Sequence, residues 1–251
     1  MTVTTFLLLI LAGAAAGLVG YLTGLASLVS YPALLLAGLP PVSANITNTL
    51  GLVGAGAGST VTGARIFLMD DLKVNPRPML TQVVVAALGG LTGGVLLITT
   101  GESSFEHIVP WLVAFASALL LLSPRIKRLQ GGHRVPQRVY LALLYCVCIY
   151  GGYFGAGAGV IYLAVTALAS QMTFEKSVFV KSMLLAVSNL AAALFFIAFG
   201  PVDWLAALAL GVGCVAGGYA GPPIQRLIPE RVLRWAIGIA GFGLALWLAR
   251  G

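Results

Sequence analysis

The chain has 251 residues, of which 59% are hydrophobic and only 8% charged, with a formal net charge of +7. No charged side chain occurs between Met1 and Ala64, and a bilayer core about 30 Å thick needs roughly 20 apolar residues per helix, so this run exceeds a single span. Apolar segments without a polar face at helical period exclude a soluble core, and basic residues confined to short loops mark membrane topology rather than a nucleic-acid surface.

In chain order, the apolar segments predict helices over 3–22, 27–38, 43–68, 79–99, 106–123, 138–154, 159–170, 175–199, 203–221 and 231–249. Met1-Thr-Val-Thr-Thr lacks the basic region of a cleavable signal, so the first helix is expected to be retained. Segments 27–38 and 159–170 have about 12 residues each and reach about 18 Å, some 12 Å short of the bilayer core. Ser123–Arg138 is rich in Arg, Lys, Pro and Gly. It reads as a basic linker on the cytoplasmic side, facing anionic lipids.

Gly20–Asn48 and Tyr153–Lys181 match at an offset of about 133 positions. Each is apolar, broken by glycine near its start and turned by a polar elbow. The first elbow is Gly38-Leu-Pro-Pro-Val-Ser-Ala-Asn-Ile-Thr-Asn48; the second ends Thr173-Phe-Glu-Lys-Ser-Val-Phe-Val-Lys181. Paired interrupted segments in two halves are the best sequence pointer to a transport site. With four crossings per half, Lys176, Lys181, Arg226, Arg231 and Arg234 fall outside. With five, counting the short helix as one, only Arg250 does, and the positive-inside rule favours five. An odd number of passes flips the second half. The expected fold is an all-α polytopic membrane protein of two inverted-topology repeats, each of about four long helices plus one short half-helix. The first repeat covers 1–124, the linker 125–137 and the second repeat 138–251, with both termini outside.

Both elbows are then recessed within the membrane, with Asn48 and Lys181 near the midplane. Irregular backbone at such depth needs surrounding protein or a wet cavity. The helix N-termini at the elbows carry unpaired N–H groups and partial positive charge, with Ser43, Asn45 and Thr173 as capping or ligand groups. Two N-termini and one ammonium predict an anion site. Lys181 would supply charge, and Asn48, Thr47, Asn45, Ser177, Ser182 and Ser27 hydrogen bonds. For Lys181 the competing reading is snorkelling to the surface; for Asn48, Thr47, Thr49 and Ser182 it is interhelical hydrogen bonding. Gly24, Gly155 and Gly157 are hinge candidates. Ser27, Ser30 and Tyr31 follow the first break and Tyr162 the second, more as packing than as ligands. Gly-Ala-Gly-Ala-Gly at 54–58 reads as a close-packing helix face; at 155–159 it sits on the break.

The carboxylates fall at helix ends or loops, so a mid-span proton relay is missing; a coupled proton would travel on the substrate, on Lys181 or through Glu175, the candidate side chain for proton coupling. His107 and His133 fall in loops, which leaves no buried metal cluster. Cys146, Cys148 and Cys214 lie in apolar segments as small hydrophobes. Neither an enzyme constellation nor a cofactor motif appears.

The passage Gly24…Pro32…Gly38-Leu-Pro-Pro…Ala44-x-x-Thr47 resembles the sulfite exporter TauE/SafE family of permeases. Gly155–Gly159, the Met172–Lys181 elbow and Gly217-Gly-Tyr-Ala-Gly221 extend the likeness over nearly the whole chain. The resemblance implies transport of a small sulfur-containing anion (sulfite, thiosulfate or an organosulfonate) in a bacterial plasma membrane, with protons as candidate co-substrate. The expected activity is a secondary transporter; a passive anion channel and a non-transporting scaffold for sulfur delivery are the competing classes.

Overall fold

The computed structural model describes residues 1–67, 77–128, 135–169 and 172–224, together with positions 235, 239, 242, 243, 246 and 249. Most of the expected helix over 231–249, with His133, Gln171 and the middle of the basic linker, lies outside the described residues. Those residues form nine helices: α1 Val3–Thr23, α2 Ser27–Leu36, α3 Pro41–Phe67, α4 Arg77–Thr100, α5 Glu102–Arg128, α6 Gln137–Tyr153, α7 Ala158–Ala169, α8 Phe174–Phe199 and α9 Trp204–Ile224.

Local chemistry sets the ends. Short α2 stops at Gly38, whose φ is +93°. The Leu39 N–H returns to the Leu34 carbonyl and that of Gly38 to Leu35, the pattern of a Schellman cap. Helix α3 starts at Pro41, two residues earlier than the apolar pattern indicates, because proline's fixed φ suits a first helical position. Helix α5 also starts early. Gly101, at φ +79°, ends α4, and Glu102 favours the partial positive charge of a helix start. His107 therefore lies inside α5 rather than in a loop, its Nδ1 2.7 Å from the Ser103 carbonyl oxygen.

Helices α1, α4, α8 and α9 have the length and hydropathy to cross a bilayer. In the most apolar stretch of α1 only 28% of residues are buried. Its outer face, like those of the other three, carries exposed Leu7, Leu8, Leu11, Leu88, Leu194, Phe199 and Leu208. Apolar surface on this scale is stable against lipid and not against water. The chain is an all-helical, multi-pass membrane protein.

Small residues bring the helices backbone to backbone, and their register gives direction. Helix α1 runs parallel to α9, with Gly13 against Leu210 and Gly17 against Cys214. Helix α3 is parallel to α9 as well, Gly54 meeting Gly211 and Gly58 meeting Val215, so the 54–58 run is a packing face. Helix α4 is parallel to α6, through Gly89 on Cys148 and Gly93 on Gly152, and to α8, through Gly90 on Ser188 and Gly94 on Ala192. Helices α3 and α8 are antiparallel, since Gly56 faces Ala186 while Gly63 faces Phe179. Thus α1, α3 and α9 run one way, and α4, α6 and α8 the other. Since α1 and α3 share a sense, the ten residues of α2 and its turns carry the chain back between them.

A Cβ at position 90 would lie 2.0 Å from the Ser188 carbonyl oxygen, and overpacking of this kind costs about 1–3 kcal/mol. Gly90→Leu is expected to lower the midpoint of thermal unfolding in detergent by several degrees, whereas lipid-facing Leu88→Ala leaves it within a degree; equal midpoints would contradict the α4–α8 packing.

Candidate functional site

Helix α1 is interrupted at Gly24 and α6 just before Gly155, with φ of +82° and +80°, backbone that glycine adopts without the Cβ penalty. The two breaks touch. A Cβ on Gly24 would lie 2.6 Å from the Gly159 Cα, so neither position accepts a side chain. Beside the breaks, α3 presents Asn48, Thr49, Leu52, Ala55 and Gly56, and α8 presents Lys181, Ser182, Leu185, Ala186 and Asn189. Each set follows helical spacing along one face. With Gly24, Ser27, Phe154 and Gly155 they line a cavity of about 60 Å³. At roughly 10–15 Å³ per water position, that space takes about four waters or a compact anion of similar heavy-atom count.

Lys181 is fully buried. Its Nζ donates to the Gly20 carbonyl oxygen at 3.0 Å and to that of Tyr21 at 2.6 Å, and the Tyr21 ring centre is 6.0 Å away. Both carbonyls belong to the last turn of α1, where partial negative charge collects; that of Gly20 also accepts the Gly24 N–H at 2.9 Å. The side chain runs inward to this helix end instead of snorkelling to the surface. A buried ammonium is costly unless paired, and the interrupted helix supplies the pairing.

The second break has a matching contact. Asn45 Nδ2 donates to the Tyr153 carbonyl oxygen at 2.8 Å, and Tyr153 lies 133 positions after Gly20. Each interrupted helix is thus capped by a side chain from the opposite half, cationic at α1 and neutral at α6. By contact, the counterpart of Lys181 is Asn45 and not Asn48. Asn45 is fully buried and its Oδ1 has no hydrogen-bond partner among the described residues.

Asn48 stays within its own half. Its Nδ2 donates to Ser27 Oγ at 3.1 Å and its Oδ1 accepts from Ser30 Oγ at 2.5 Å, which fastens the start of α2 to α3. The antiparallel register sets Lys181 level with the α3 turns between Gly56 and Gly63. Asn48 and Lys181 therefore line one cavity from staggered levels and do not face each other.

The other predicted side chains divide. Ser27 and Ser182 line the cavity, with Ser182 Oγ also bonded to the Val178 carbonyl oxygen at 3.1 Å. Thr47 Oγ1 accepts from the Asp203 N–H at 3.1 Å, and Ser43 Oγ donates to the Pro201 carbonyl oxygen at 2.9 Å, tying α3 to the turn before α9. Thr173 caps α8 by accepting from the Lys176 N–H at 3.4 Å, while Ser177 Oγ donates to the Thr173 carbonyl oxygen at 3.0 Å. Polar groups at the start of α8 thus form a local cap and those at the start of α3 bond across to α6 and the turn before α9, while the helix ends that meet the cavity are the C-termini of α1 and α6. Gly157, at φ +84°, packs on Ala116 of α5, and Glu175 sits in the first turn of α8, away from the cavity lining.

Asn189 escaped the sequence reading. It lines the cavity eight residues after Lys181, about 12 Å along the helix, and its amide has no hydrogen-bond partner among the described residues. A lone amide in an apolar run was the available signal, and position 189 corresponds to Gly56 at the repeat offset. On one side the cavity is closed by Phe154, which packs edge-on against Tyr31 at 5.5 Å and against Phe105 at 6.0 Å.

Residues 9–248 match the sequence profile of the family described as Sulfite exporter TauE/SafE. Similar proteins include the probable membrane transporter protein ORF9 of a Sinorhizobium species, 27% identical over 93% of this chain and 88% of its own. The probable membrane transporter protein YfcA of Escherichia coli K12 is 27% identical over 87% of this chain and 80% of its own. A probable membrane transporter protein of Haemophilus influenzae is 24% identical over 92% and 89%. No solved structure matches the chain. With interrupted helices paired around a buried lysine and a profile match that covers nearly all of its length, the chain belongs to the sulfite exporter TauE/SafE family.

Proposed function

We propose that the protein is a secondary transporter that moves a small sulfur-containing oxyanion, such as sulfite, thiosulfate or an organosulfonate, by alternating access. Its family and relatives make it a membrane transporter; the sulfur anion and the mechanism are the reading advanced here. The observation that carries it is the fully buried Lys181 ammonium on a small cavity inside a helical membrane bundle. A charge near a bilayer centre costs about 2.5–3.5 kcal/mol on insertion scales, so its retention implies a use.

The moving parts are two inverted repeats, 1–124 and 138–251, joined by the basic linker 125–137. The opposite senses of α1 and α6, of α3 and α8, and of α4 and α9 support that division. In this reading each half makes five passes, with both termini outside. An anion entering the cavity competes with the α1 carbonyls for the Lys181 ammonium. As the ammonium turns to the anion, the end of α1 loses its charged cap, and Gly24 and Gly155 absorb the rotation of the broken segments. The neutral Asn45–Tyr153 cap does not respond to charge, so the second break acts as the fixed side of the hinge. Ser27, Ser182, Asn48 and Asn189 supply hydrogen bonds to the oxyanion. Glu175, partly buried in the first turn of α8, is the candidate for proton exchange.

Proteoliposome uptake of labelled sulfite and thiosulfate tests the site. A hydrogen bond to a charged group is worth about 1.5–3 kcal/mol, so Lys181→Ala is expected to cut uptake at least tenfold and Asn189→Leu to raise the half-saturating concentration several-fold. Ser177→Ala, off the cavity, should stay within twofold of wild type. Unchanged saturable uptake in Lys181→Ala would sink the assignment.

Topology is tested separately by placing a single cysteine at Thr2 in a cysteine-free background. An impermeant maleimide should label it on intact cells. Labelling only after permeabilisation would overturn the five-pass arrangement.

A further inference from the structure

We infer that the broken end of α1 is a monovalent-cation site and that Lys181 fills it as a tethered cation, in place of a dissociable ion. Two backbone oxygens, those of Gly20 and Tyr21, meet the Nζ at 3.0 and 2.6 Å. They sit at the negative end of an interrupted membrane helix, the type of place where carbonyls hold coupling cations, and the Gly20 oxygen keeps a second bond, from the Gly24 N–H at 2.9 Å. The cavity beside them brings two hydroxyl-bearing side chains, Ser27 and Ser182, and is large enough to admit water or a small ion once the amine is gone.

Comparison between the halves separates charge from shape. The equivalent carbonyl of Tyr153 is satisfied by the neutral amide of Asn45, so capping a carbonyl at a break needs no charge. At α1, one donor group reaches two carbonyls, and it is a cation. The path of the Lys181 stem is also prepared. A Cβ at Gly159 would lie 3.0 Å from the Lys181 Cδ and 2.4 Å from the Gly24 Cα, so the stem crosses the junction of the two breaks where neither carries a side chain. The cation is delivered by the fold itself and needs no supply from solution.

Its consequence for coupling rests on the transport reading above, in that an anion would exchange partners with a cation that never leaves the protein. The cation site itself stands apart from that reading, and the test reads stability instead of flux. Purified wild type, Lys181→Ala and Lys181→Met are unfolded thermally in sodium, choline or methylammonium chloride at equal ionic strength. Wild type is expected to show one midpoint in all three salts. Lys181→Ala should be several degrees lower in choline, and sodium or methylammonium should restore roughly 3–5 °C, as binding to the folded state alone requires. Lys181→Met, whose stem fills the path without charge, should respond to sodium less than Lys181→Ala does. Identical midpoints of Lys181→Ala in all three salts would overturn the inference, as would sodium-dependent stability of wild type, which is measured whether or not the variants fold. If Lys181→Ala loses anion uptake yet ignores cations, the cation site falls and the anion site survives.

Discussion

An ammonium held against the open end of an interrupted helix is the interaction on which this bundle depends. The charge uses the break, since Lys181 meets the carbonyls of Gly20 and Tyr21 at the helix end, where that of Gly20 also accepts the Gly24 N–H. The break requires the charge or a substitute, because the carbonyls of a buried helix end otherwise lack donors. Neither is tolerable alone in a medium without water. Gly24 provides the turn, Gly159 clears the path, and α8 carries the lysine across from the other half. The small-residue contacts among α1, α3 and α9, and among α4, α6 and α8, hold these helices near enough for one side chain to span the gap.

The crossed caps also account for an asymmetric machine built on a symmetric plan. Asn45 and Lys181 perform the same structural task at the two breaks, yet one is a neutral amide and the other an amine that carries charge when protonated. In the proposed transport cycle, an anion reaching the cavity would take the place of partners that Lys181 already holds, which would tie occupancy to the conformation of the α1 break. That is the differential interaction a ligand needs in order to shift a conformational equilibrium.

Most of the architecture was legible in the sequence because length and hydropathy are one-dimensional signals. Apolar runs placed the ends of the nine described helices to within about five residues, and the shortness of 27–38 and 159–170 marked α2 and α7. The ends that shifted, at Pro41 and Glu102, are decided by local capping. The site was legible only in part. An offset of 133 pairs Lys181 with Asn48, but contact pairs it with Asn45, one helical turn earlier. Side chains on a helix lean toward its N-terminus, and the lysine stem reaches back about one turn, to the level of Val178, the offset partner of Asn45. Chain position misses this because it ignores side-chain length. Thr47 and Ser177 read as ligands because polarity is visible in sequence, while the nearest backbone group that satisfies it is not. Asn189 looked like any polar residue that glues helices together, and only the cavity sets it apart.

The most direct measurement is a high-resolution structure of the anion-free protein in a lipid nanodisc. The account predicts the Lys181 Nζ within about 3.3 Å of the Gly20 and Tyr21 carbonyl oxygens, as an N–H···O hydrogen bond requires, with Asn45 on Tyr153. A Lys181 side chain extended to the membrane surface, with water on the end of α1, would contradict it.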